Sequence, residues 1–127
     1  MSRTVIATEA AAPAAGPYSQ GVGFADLVFV SGQLPIDLAS GELAEGIEAQ
    51  TKASLANLEA VLVAGGASFA SVLKTTVFLK NMDDFAAMNA IYATAFPTSS
   101  PARSTIEVAR LPKGALVEIE EIGRAHV

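Results

Sequence analysis

The stretch from Glu45 to Ala64 constrains this chain more than any other. Leu55, Leu58 and Leu62 recur at helical spacing, with Thr51 and Ile47 on the preceding turns of the same side. Gly65-Gly66 follows at once, and glycine ends a helix readily because it takes the left-handed conformation without a Cβ penalty. A helix opening at Glu45 or Gly46 and closing near Ala64 therefore carries one long apolar stripe. Whatever flanks it must supply the surface that the stripe covers.

The flanking segments read as strands. Arg3–Thr8 is a first strand, and the Ala/Pro-rich run Ala10–Pro17 is an extended loop. Ser19–Phe24, Ala25-Asp26 and Leu27–Gln33 read as a hairpin that Pro35 ends. Val72–Lys80, rich in Val, Thr, Phe and Leu, is a further strand. Asp83 is a plausible N-cap for a second helix, Asp84–Phe96, with an apolar stripe of Phe85, Met88, Tyr92 and Phe96. Beyond Pro97 and Pro101, Ala102–Ala109 and Leu116–Ile122 read as a final hairpin joined through Leu111-Pro112-Lys113-Gly114. The expectation is a single α+β domain over residues 1–127, with two helices on one face of a mixed sheet and the other face bare.

Alternation along the last two strands suggests chemistry on that bare face. Matching Ser104, Ile106 and Val108, and Val117 and Ile119, to the helices leaves Arg103, Thr105, Glu118 and Glu120 together on the other side. Arginine offers a planar fork for a carboxylate, and a glutamate on a rigid strand can act as a general base on water. Ordinary surface ion pairs would give the same pattern and are more common. Tyr18, in Gly16-Pro17-Tyr18-Ser19, reads equally as a loop tyrosine packed on a neighbour. Ser31-Gly32-Gln33 is either a simple strand exit or a place where backbone N–H groups approach an anion, which a glycine permits. Asn89 on the second helix is either a polar surface residue or a ligand contact.

Composition narrows the chemistry. The chain has no cysteine and one histidine, His126, near its end. This excludes a thiolate nucleophile, a disulfide framework and cysteine- or histidine-rich metal sites. No metal and no organic cofactor is expected. Gly21-Val22-Gly23 lacks the third glycine of a dinucleotide fingerprint, and Ser71-Val72-Leu73-Lys74 lacks the partner motifs of a penicillin-recognising enzyme. A formal net charge of −5 argues against general affinity for nucleic acid or anionic membrane. Hydrophobic residues make up 51% and charged residues 17%, a balance that predicts apolar surface buried between subunits. The first eight residues are too short for a signal-peptide core, and the longest uncharged stretch is cut by Pro97. The cytoplasm is the expected compartment.

Seven blocks in order carry a family resemblance: Ala15-Gly16-Pro17-Tyr18-Ser19-Gln20-Gly21, Val30-Ser31-Gly32-Gln33-Leu34-Pro35, Lys74-Thr75-Thr76-Val77-Phe78-Leu79, Asn89-Ala90-Ile91-Tyr92, Pro101-Ala102-Arg103-Ser104-Thr105, Glu107-Val108-Ala109-Arg110-Leu111-Pro112 and Val117-Glu118-Ile119-Glu120. Across nearly its whole length the chain resembles the Rid family of reactive intermediate (imine/enamine) deaminases, formerly the YjgF family. The resemblance implies a chorismate-mutase-like α+β fold and a homotrimer with sites at the subunit clefts. It implies that Arg103 holds a substrate carboxylate and that Glu118 activates water. It also implies that Tyr18, Ser31, Gly32, Thr105 and Asn89 line the pocket. Many members have cysteine where this chain has Thr105. The activity implied is hydrolysis of small 2-imino acids, tautomers of 2-aminoacrylate or 2-aminocrotonate, to 2-keto acids and ammonia. A small imino or keto acid and a second copy of the chain are the expected partners, and Arg103 beside Glu118 is expected to keep that carboxyl ionised. A pathway-specific enamine deaminase, a ribonuclease or translation inhibitor, and a non-catalytic carboxylate-binding trimer stay open as alternatives.

Overall fold

A computed structural model describes residues 2–126. The strands are β1 (Thr4–Ile6), β2 (Gly21–Phe24), β3 (Leu27–Gln33), β4 (Val72–Leu79), β5 (Ala102–Glu107) and β6 (Val117–Arg124); the helices are α1 (Ile47–Ala64) and α2 (Phe85–Tyr92). One six-stranded mixed sheet runs in the order β1-β2-β3-β6-β4-β5. Both helices pack on one of its faces, as the sequence predicts.

The core lies where the leucine stripe demanded it. Leu58, Val61 and Leu62 of α1 are fully buried against Val28, Val30, Val77, Val117 and Ile119 of the sheet. Each such aliphatic side chain contributes about 2 kcal/mol by leaving water. Gly66, at φ +85°, stops the helix as expected. Some polar positions of α1 are buried too, and Gln50, Ser54 and Asn57 each have a job. Ser54 Oγ donates to the Gln33 carbonyl at 2.7 Å, and Asn57 Nδ2 donates to the Ile36 carbonyl at 3.0 Å. Gln50 Oε1 accepts from the Leu116 N–H at 2.8 Å. These bonds fix the loop after β3 and the entry to β6, the two segments that border the site.

The second half departs from the expected hairpin. β5 and β6 do not pair. β4 lies between them, parallel to β5 and antiparallel to β6. The β4–α2–β5 connection includes a helix, which is how adjacent parallel strands are joined. The second helix also starts differently. Asp83 does not cap it: a short 3₁₀ turn, Met82–Asp84, leads into the α-helix, and Asn81 caps that turn, its Oδ1 accepting from the Asp83 N–H at 2.9 Å. A second 3₁₀ turn, Ala93–Ala95, follows Tyr92, so the α-helical part is shorter than the apolar stripe. Among the described residues no helix is long and apolar enough to cross a membrane.

Candidate active site

On β6, Val117, Ile119 and Glu121 face the helices and are buried, which sends Glu118 and Glu120 to the open face. A bulge in β3 completes that side. Val30 pairs with Glu121 while Gln33 pairs with Ile119, so β3 carries one extra residue between them. The insertion keeps both Val30 and Gln33 buried on the helix side, and bulges commonly re-aim side chains beside sites. It leaves Ser31 and Gly32 opposite Glu120, with Gly32 against the side chain of Glu118. Ser31 Oγ donates to the Ser19 carbonyl at 2.6 Å, tying the bulge to the loop that carries Tyr18. With Glu118 where it stands, a Cβ at Gly32 would collide with the Glu118 carboxylate and lie 2.9 Å from its Cδ. Tyr18 is 48% exposed, and its Oη accepts from the Ala15 N–H at 3.1 Å. Tyr18, Ser31, Gly32, Lys113, Glu118 and Glu120 thus share one open cleft of about 580 Å³.

Arg103 is elsewhere. It pairs with Thr75 of β4, and Thr75 is fully buried beneath α2. Its guanidinium carbon sits 4.7 Å from the Tyr92 ring centroid and 5.5 Å from that of Phe85. Its Nη1 donates to Asn89 Oδ1 at 2.7 Å. Thr105, two residues along, is on the same side, and its hydroxyl is buried without a hydrogen-bond partner. The expectation that Arg103, Thr105, Glu118 and Glu120 share the bare face is therefore wrong. The error has a physical source. β5 is an edge strand whose helix-facing positions are polar, while Ile106 on the opposite face is 44% exposed. Assigning the apolar set to the helices inverts such a strand.

The seven candidate residues form two half-sites. Tyr18, Ser31, Gly32 and Glu118 belong to the open face; Arg103, Asn89 and Thr105 belong to the helix side at the sheet edge. Asn89 positions Arg103 rather than lining the glutamate cleft, and Tyr92, which sequence reasoning placed only in the core, provides the guanidinium with an aromatic seat. Tyr92 Oη is itself fixed by Thr75 Oγ1 at 2.8 Å. Arg103 does not hold Glu118 ionised within the protomer. Burial, followed by the like charge of Glu120, pushes the Glu118 carboxyl above the ordinary carboxylate range. No cluster of three or more His, Asp or Glu residues suited to a metal ion occurs among the described residues.

Comparison with known proteins finds relatives along nearly the whole chain. The family model described as Endoribonuclease L-PSP matches residues 8–125. A 2-iminobutanoate/2-iminopropanoate deaminase of Salmonella typhimurium is 48% identical over 125 residues, covering 96% of this chain and 97% of the relative. A RutC family protein of Pyrococcus abyssi is 47% identical over 123 residues, covering 96% and 97%. The crystal structure of Escherichia coli TdcF with bound serine superposes with a TM-score of 0.93 at 40% identity, covering 97% of this chain and 99% of that one. The matched segment takes in both half-sites, and the chain belongs to the Endoribonuclease L-PSP family, which also includes the YjgF and RutC proteins.

Proposed function

We propose that the protein hydrolyses small 2-imino acids, such as 2-iminobutanoate and 2-iminopropanoate, to 2-keto acids and ammonia. The observation that carries this reading is Glu118: a half-buried carboxyl on a rigid strand, pressed against the bare backbone of Gly32 and open to a cleft. A carboxyl raised above its ordinary range is better matched to accepting and returning protons near neutrality. The Salmonella relative's name supports the choice of substrate. The RNA-directed reading has the family description and the descriptions of some similar structures behind it, and the charge of −5 opposes it.

Arg103, with one nitrogen occupied by Asn89 and its face on Tyr92, offers its remaining donors to the substrate carboxylate. Glu118 takes a proton from water as the oxygen adds to the imine carbon. The same carboxyl returns that proton to the amine nitrogen and then accepts the proton of the new hydroxyl as the C–N bond breaks and the carbonyl forms; the keto acid leaves, and that second proton leaves with ammonia as ammonium. Because the half-sites lie on opposite faces of one sheet, the reaction requires Arg103 of one copy to meet Glu118 of another. A homotrimer closed through the open sheet face provides for this and covers apolar surface such as Phe29, 41% exposed.

Two measurements test the proposal. Coupled to a threonine dehydratase, the wild-type protein accelerates keto-acid release, and Arg103→Ala abolishes the acceleration. Refolding Arg103→Ala together with Glu118→Gln, each inactive alone, restores activity, up to about a quarter of wild type for random assembly of sites shared by two copies. No acceleration by the wild type refutes the activity; no restoration on mixing refutes the shared site.

A further inference from the structure

Lys113 carries a feature that the hydrolysis does not use. It lies in the 3₁₀ turn Pro112–Gly114, immediately before β6, at φ +61° and ψ 14°. A left-handed conformation is uncommon outside glycine and is retained where the surroundings enforce it. The surroundings do so here. Pro112 opens the turn, Ala115 is buried, and Leu116 is held on both sides: its N–H donates to Gln50 Oε1 at 2.8 Å and its carbonyl accepts from the Lys80 N–H at 3.0 Å. The turn brings Lys113 to the cleft of Glu118 and also to the adjoining cavity beyond Tyr18 and Gly32. Among the described residues Lys113 makes no ion pair, although the chain is acidic overall.

The chemistry restricts what this ammonium can meet. The imine nitrogen gains positive charge before water adds, so a cation beside it would oppose the reaction. The substrate's own carboxylate is assigned to Arg103 under the function proposed above, on which this inference rests. The substituent on the carbon next to the imine remains. We propose that Lys113 determines specificity by pairing with an anionic group on that substituent, so that the cleft accepts dicarboxylic 2-imino acids as well as small neutral ones.

The test compares two imino acids generated in situ by flavin amino-acid oxidases, one from 2-aminobutyrate and one from glutamate, with keto-acid release followed for each. The wild type is expected to accelerate both. Lys113→Met lowers the ratio of kcat/KM for the dicarboxylic over the neutral substrate about tenfold, as expected for an ion pair in a partly solvated cleft. Lys113→Arg preserves the ratio. Lys113→Gly, which suits the left-handed backbone, loses the ratio as Met does while its Tm is no lower than that of wild type, separating function from fold. An unchanged ratio in Lys113→Met, or a wild type active on the neutral substrate only, overturns the role of Lys113 and leaves the deaminase reading standing. A wild type inactive on the neutral substrate overturns the deaminase reading itself.

Discussion

The contact between Gly32 and Glu118 shows how far a single residue can control the site. A methyl group at position 32 would meet the end of the Glu118 side chain, not backbone, so the fold can accommodate it by turning the carboxylate away. Gly32→Ala is therefore expected to keep a Tm close to that of wild type and to lower kcat about a hundredfold, since displacing a reacting group by an ångström costs about that much. Thermal melts beside steady-state rates decide the matter; loss of fold with loss of rate, or full activity, would contradict it. At this scale much was legible. Residue type left Tyr18, Ser31 and Gly32 open between structural and functional readings, the family resemblance grouped them with Glu118, and the four do line one cleft. The seat of Arg103 on Tyr92 was not legible, because an aromatic at helical spacing reads as core whether or not a guanidinium lies on it. Gln50, Ser54 and Asn57 left a fainter signal: a polar stripe at i, i+4 and i+7 beside the leucines of α1.

The elements are more predictable than their partners. α1 begins and ends where its stripe and its glycines place it, and the first hairpin forms as expected. The start of α2 depends on a local hydrogen bond that Asn and Asp can both make, and here Asn81 makes it. Asn81→Ala removes that bond and should cost about 1 kcal/mol. Urea denaturation would show it as a lower midpoint at an unchanged m-value; a midpoint equal to wild type would mean that the cap contributes nothing. The β3 bulge and the separation of β5 from β6 were not legible. Both depend on which strands lie side by side, and a strand's own alternation does not contain that information.

At the scale of the whole molecule, Glu121 is a weak point of the interior. It is only 2% exposed, its carboxylate oxygens have no hydrogen-bond partner, and burial together with Glu59 pushes its pKa up to about 8. The native state thus holds a proton that the unfolded chain releases near 4.5. Stability contributed by the neutral form is present in full below that value and is lost as pH rises toward 8. The loss amounts to about 3 kcal/mol by pH 7. Glu118 acts in the same direction to a smaller extent. Glu121→Gln cannot ionise, so its Tm should fall less than that of wild type between pH 5 and pH 8, as calorimetry would measure. A parallel fall in both proteins would show that Glu121 is not the source.

The sequence by itself determined the helices, the strands and the mixed sheet with one bare face, because helical and strand periods and glycine stops are local properties of the chain; the residues around Glu118 were legible through the family resemblance. Only the tertiary structure decided that β4 separates β5 from β6 and that Arg103 and Glu118 lie on opposite faces. Strand neighbours and the inward side of an edge strand are set by the burial of the entire sheet against α1 and α2. At β5 that global requirement turns a polar face toward the helices, against the preference of the segment's own apolar residues.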